Sequence, residues 1–146
     1  MSTVKQDLPI GCELPSIVRK FTQEKMNQFA GQTGVRVNQR GLPINTHTDE
    51  AFAKSVGLPG TVAQSLQYYA YVSEMLCSAL GEGWLRGGKL GMKFLNMVLA
   101  GDTVTCRAVV KEKVTEGDAV RVSFEVWCEN QRGEKVAVGT ASGLVR

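Results

Sequence analysis

The second half of the chain alternates apolar and polar residues; the first half does not. In GGKLGMKFLNMV, Leu90, Met92, Phe94 and Val98 share one face. TVTCRAVVKEKV sets Val104, Cys106, Ala108 and Val110 inward, with Thr105, Arg107, Lys111 and Lys113 outward. AVRVSFEVWCEN sets Val120, Val122, Phe124, Val126 and Cys128 against Arg121, Ser123, Glu125 and Glu129, and KVAVGTASGLV continues the pattern. A period of two is that of a half-buried strand. The glycine-bearing turns AGD, TEGD and NQRGE separate the runs, and links this short join antiparallel neighbours.

Between these strands and the N-terminal region lies TVAQSLQYYAYVSEMLCSAL, Thr61 to Leu80. It holds no glycine or proline and one charge, Glu74. Val62, Leu66, Tyr69, Leu76 and Leu80 recur at helical spacing, while Ala63, Ala70, Val72, Met75 and Cys77 fill other faces. This pattern predicts a helix of roughly 28 Å that is buried on most sides. Upstream, SIVRKFT reads as a strand and TQEKMNQFAGQTG as a helix capped by Thr22, with Glu24 in its first turn; VRVNQRGLP is loop-like. Thr48 is placed to cap a short helix that has Asp49 and Glu50 at its positive end and stops at Gly57. The sum is an α+β domain over 1–146: a curved antiparallel sheet wrapped around one long central helix, with a second subunit covering what the sheet leaves open. That architecture resembles the hot-dog fold.

Composition excludes several function classes. The chain has 146 residues, 43% hydrophobic and 21% charged, with a net charge of +3 and no dense Lys/Arg block, so nucleic acid is not an expected partner. Cys12, Cys77, Cys106 and Cys128 form no CxxC pair. With one histidine, they make no metal-ligand set and read as small core residues. MSTVKQDLPIG has no apolar signal region and no run is long enough to span a bilayer, so a cytoplasmic protein with reduced thiols is expected.

The candidate chemistry lies in HTDEAFAKSVGLPGTVAQS. This segment resembles the MaoC-like hydratase/dehydratase family, which includes (R)-specific enoyl-CoA hydratases. The family pattern is roughly D-x-N-P-I-H-x-D-x-x-x-A, a glycine-rich turn, then A-H-G-M entering the central helix. His47, Asp49 and Ala53 match it, and GLPG at 57–60 matches the turn; GGKLGMKF and GDTVT resemble later family segments. The likeness runs from about Thr22 to Val110. It departs where Leu42 takes the place of the family aspartate, where Ile44, Asn45 and Thr46 precede the histidine, and where Ala63, Gln64, Ser65 and Leu66 stand for A-H-G-M.

The resemblance implies addition or removal of water across the 2,3 double bond of an acyl thioester. His47 is the implied acid/base, because a reference pKa of about 6.5 lets imidazole take and give a proton at neutral pH. Asn45 is the candidate water holder; an amide cannot be a general base. The start of the long helix supplies the oxyanion site, with Ser65, Gln64 and Gly60 as its residues. Arg86, Lys89 and Lys93 are candidate contacts for coenzyme A phosphates. Asp49 reads first as a cap or dipole complement, Tyr68 and Tyr71 as aromatic packing, and Glu74 as a solvent or interface charge. With leucine at 42, a one-base isomerisation stands beside hydration. From another class stands a non-catalytic acyl-thioester-binding subunit that partners a catalytic hydratase. A thioesterase fits less well, since Thr61 to Ser73 holds no carboxylate. No metal or redox cofactor is expected, coenzyme A or an acyl carrier protein serving only as substrate carrier. The expected assembly is a homodimer, with a heterodimer open.

Overall fold

The computed structural model describes residues 8–30, 37, 39, 41 and 44–146. In chain order the elements are β1 (Ile17–Lys20), α1 (Gln23–Ala30), α2 (Glu50–Ser55), α3 (Ser65–Leu80), α4 (Glu82–Gly87), β2 (Lys89–Phe94), β3 (Thr103–Glu116), β4 (Ala119–Glu129) and β5 (Lys135–Val145). The five strands form one sheet in the order β1-β3-β4-β5-β2, every neighbouring pair antiparallel.

The alternation places the sheet's inner face where the sequence puts it. Val104, Cys106, Ala108 and Val110 of β3 and Val122, Phe124, Val126 and Cys128 of β4 are all buried, and they cluster with Ala137, Ala141 and Val145 of β5. One expectation fails at the end of β3. A register shift between Val110 and Glu112 puts Lys113 opposite buried Val122 and Val114 opposite Arg121. An extra residue in one strand inverts every later side chain, so Lys113 sits on the inner side and Val114 is exposed.

α3 packs on this face, with corrections to both its start and its orientation. It begins at Ser65, not Thr61. Thr61, Val62 and Ala63 are extended instead, because their backbone pairs with the loop between β2 and β3: Ala63 N donates to Val98 O at 2.7 Å and Ala100 N to Thr61 O at 3.2 Å. The buried stripe is Tyr68, Val72, Met75, Leu76, Ala79 and Leu80. Leu66 is 60% exposed, and Ala70, Glu74 and Ser78 continue its open side. Within one chain the sheet therefore covers one side of the helix, and a charge-poor side remains.

Local signals elsewhere explain the remaining helices. Thr22 caps α1, its hydroxyl accepting from Lys25 N at 3.2 Å. For α2 the cap is Asp49 rather than Thr48: its carboxylate accepts from Phe52 N at 2.9 Å. Gly57, at φ 91°, ends α2. Its N–H reaches Lys54 O and that of Leu58 reaches Ala53 O, the paired closure of a helix that turns left-handed at glycine. α4 was not anticipated, since EGWLRG carries two glycines. Gly83 is needed there because a Cβ would collide with the backbone carbonyl of Leu144 in β5. The predicted helix end beyond Ala30 and Leu42 lie outside the described residues.

Candidate active site

His47 sits in a turn that its neighbours hold closed. Asn45 Oδ1 accepts from His47 N at 2.8 Å and from Thr48 Oγ1 at 3.1 Å, while Asn45 O accepts from Asp49 N at 3.1 Å. An Asx side chain satisfying backbone in this way is a common turn device. The loop is laced to the extended segment before α3: Val62 N donates to Thr46 O at 2.9 Å, and His47 Nδ1 lies 2.8 Å from Val62 O. A carbonyl can only accept, so Nδ1 carries a proton. In the neutral ring Nε2 is then the basic nitrogen.

Gln23 of α1 braces this loop from behind. Its amide donates to His47 O at 2.9 Å and to Asn27 Oδ1 at 2.9 Å, and its oxygen accepts from the hydroxyl of buried Thr61. On the other side, buried Asp102 fixes the turn that carries Val98 and Leu99. Its carboxylate accepts from Leu99 N at 2.9 Å and Gln131 Nε2 at 2.8 Å, and its backbone oxygen from Phe21 N at 2.8 Å. The strip from Thr61 to Ala63 is thus held between the His47 loop and the Asp102 turn, and it aims the start of α3.

His47 and that helix start open into one cleft of about 350 Å³. Ser65 and Tyr68 line it beside His47, facing Phe94, Asn96 and Met97. Ser65 is the first residue of α3, and Gln64 makes no side-chain cap. Among the described residues nothing accepts the Ser65 N–H, as expected at a helix start. The cleft therefore brings together the His47 imidazole and the first residue of α3.

The other candidates are placed differently. Asn45 Oδ1 is engaged in the turn, and neither Asn45, Gln64 nor Gly60 lines the cleft. Arg86 belongs to α4, beyond the far end of α3, and pairs with Glu82 at 2.7 Å. Lys89 lies at the start of β2, and Lys93 precedes Phe94 on the strand's opposite face. None of these three lines the cleft within one chain. Glu74 pairs with Arg19 at 2.9 Å. Cys106 and Cys128 are fully buried cross-strand partners with sulfurs 3.6 Å apart; the shared hydrogen bond and then burial push the Cys128 thiol upward. Sequence reasoning missed Gln23, Thr61 and Asp102 as site supports, and it gave Tyr68 no part in the cleft. The position of Tyr68, one turn after Ser65, was the only available signal. Burial first, then the nearby Cys128, pushes the Tyr68 phenol up to about 12.

Among the described residues no cluster of three or more His, Cys, Asp or Glu is placed to hold a metal, and no helix is long and apolar enough to cross a membrane. Comparison with curated protein sequences finds no match. Among solved structures, the chain is similar to the unliganded R-hydratase PhaJ1 of Pseudomonas aeruginosa. Identity is 22% with a TM-score of 0.76, over 95% of this chain and 83% of that one. It is also similar to the (R)-hydratase of A. caviae involved in PHA biosynthesis, at 19% identity and a TM-score of 0.73, over 97% of this chain and 100% of that one. A third likeness is to the ChsH1-ChsH2 complex of Mycobacterium tuberculosis, at 19% identity and a TM-score of 0.73, over 94% and 98% of the two chains. These likenesses establish the α+β hot-dog fold. The model of the MaoC like domain matches residues 13–142, most of the sequence, and the chain belongs to that family.

Proposed function

We propose that the protein is a hydratase/dehydratase acting on a 2-enoyl or 3-hydroxyacyl thioester. His47 Nε2 is its acid/base and the Ser65 N–H its oxyanion donor. The observation that carries this reading is the shared cleft, where the Val62 carbonyl fixes the ring's tautomer and the open start of α3 stands beside it. In hydration, Nε2 takes a proton from water as the oxygen bonds to C3. The π pair moves toward the thioester carbonyl, whose oxygen gains charge at the helix start, and the proton on Nε2 then passes to C2. One nitrogen serves both transfers. The same device without bound water shifts a double bond: Nε2 then takes its proton from one substrate carbon and returns it to another.

Leu42, at the family's aspartate position, favours a second reading: a non-catalytic thioester-binding subunit working with a catalytic partner. Proteins of this shape do occur in complexes, as in the ChsH1-ChsH2 complex. In either reading a second subunit, another copy or a related chain, covers exposed Leu66, Phe94, Leu95 and Met97 beside the cleft.

The test is mass spectrometry of 2-enoyl- and 3-hydroxyacyl-CoA thioesters incubated in deuterated water, with wild type and His47→Ala in parallel. Gain of water in wild type, lost in the variant, supports hydration; deuterium exchange beside the carbonyl without gain of water supports isomerisation. Binding of thioesters with neither change points to the non-catalytic subunit.

A further inference from the structure

The cleft contains a polar group that the proposed chemistry leaves unused. Tyr68 is 3% exposed, and its ring is held edge-on between Phe21, at 6.0 Å, and Phe94, at 5.5 Å. Among the described residues its hydroxyl has no hydrogen-bond partner. It is not sealed off either, since the one fully enclosed, unsatisfied side-chain atom among them is Gln67 Oε1. Tyr68 lines the cleft. A phenol placed this way donates a hydrogen bond in a fixed direction, and leaving it unpaired is costly.

Its position along the helix tells what it would meet. Ser65 and Tyr68 are three residues apart on α3, so the ring is displaced by about 4.5 Å along the axis from the oxyanion site. A thioester whose carbonyl lies at Ser65 then runs its acyl chain past Tyr68. No Lys or Arg lines the cleft, so the acceptor is a neutral oxygen rather than a carboxylate. A phenol is protonated at neutral pH, and burial raises its pKa further.

Resting on the thioester reading above, we infer that Tyr68 is a specificity residue. Its hydroxyl donates to a neutral oxygen, a ketone or hydroxyl, on the acyl chain beyond the reacting carbons. A plain hydrocarbon chain would leave that donor unpaired, and such a mismatch discriminates strongly in a buried site.

The test uses binding, not turnover, and so stays separate from the catalytic proposal. Calorimetry would compare a saturated acyl-CoA with isosteres in which a keto group is walked along the chain, using the full-length protein and Tyr68→Phe. The variant keeps both ring contacts, and an unchanged melting curve would verify that. Wild type is expected to bind one keto isomer more tightly than the plain chain. Tyr68→Phe is expected to weaken that isomer roughly three- to tenfold while leaving the plain chain within twofold. Equal effects on both ligands, no effect, or no binding of any acyl-CoA by wild type would overturn the inference. Discrimination without turnover of the enoyl counterparts would uphold it and sink the hydratase reading alone.

Discussion

His47 Nδ1 lies 2.8 Å from the carbonyl oxygen of Val62, and this contact decides which ring nitrogen is free to act. It also ties the imidazole to the strip that leads into α3. His47 and Ser65, the proposed acid/base and oxyanion donor, therefore hold their spacing through the backbone of that strip. His47→Ala should lower turnover roughly a hundredfold or more and leave the circular dichroism spectrum unchanged.

Ser65→Pro isolates the oxyanion donor. Proline is accepted at the first position of a helix, and Gln64 before it already has φ −66° and ψ 130°, a conformation suited to a residue preceding proline. The helix should persist while the N–H is gone. A fall in kcat of roughly 10²–10³ is expected, with thioester affinity changed far less; equal losses in kcat and affinity would argue against an oxyanion role.

Gln23→Ala removes the brace behind His47. It leaves the Thr61 hydroxyl and the His47 carbonyl without their present partners, at a stability cost of about 1–3 kcal/mol. Because the loop then loosens, kcat should drop while KM stays nearly constant, and Gln23→Glu should restore part of the loss through the acceptor to Thr61. Denaturant curves and steady-state kinetics on the two variants check this.

Asp102→Ala takes away two acceptor contacts in a buried turn, those to Leu99 N and Gln131. The expected cost is about 1.5–3 kcal/mol by denaturant midpoint. Hydrogen exchange should rise first at Ala63 and Ala100, whose amides tie the strip to the turn.

Tyr68 gives a pH signature. Its folded pKa of about 12 stands above the ordinary 10 because burial disfavours the phenolate. The folded state thus keeps a proton that the unfolded chain has released. Stability from this source is complete below about pH 10 and is lost as pH rises toward 12. Tyr68→Phe should flatten the alkaline decline in unfolding free energy over that range; an unchanged slope would show that Tyr68 is not the cause.

The sheet was legible because its signal is local. Val104 to Val110 and Val122 to Cys128 alternate with period two, and any sheet that buries one face must bury those residues. The short helix after the histidine was legible through residue types at short spacing: Gly57 ends it as expected, although Asp49 rather than Thr48 caps it, whereas Asn45, expected to hold a water, holds the turn instead. The bulge at Lys111 was not legible, because an extra residue is defined only by the partner strand's register. The true start of α3 was hidden for a similar reason. Thr61, Val62 and Ala63 have helical spacing, but the backbone of Val98 and Ala100 pulls them into an extended strip.

The sequence by itself determined the strand faces up to the bulge in β3 and the presence of the central helix, since period is written in neighbouring residues. Only the tertiary structure decided that Gln23 and Asp102 brace the His47 loop and the turn beside it, that Tyr68 lines the cleft, and that Arg86 lies beyond the far end of α3. These follow from contacts between segments far apart in the chain, made when the sheet closes on the helix.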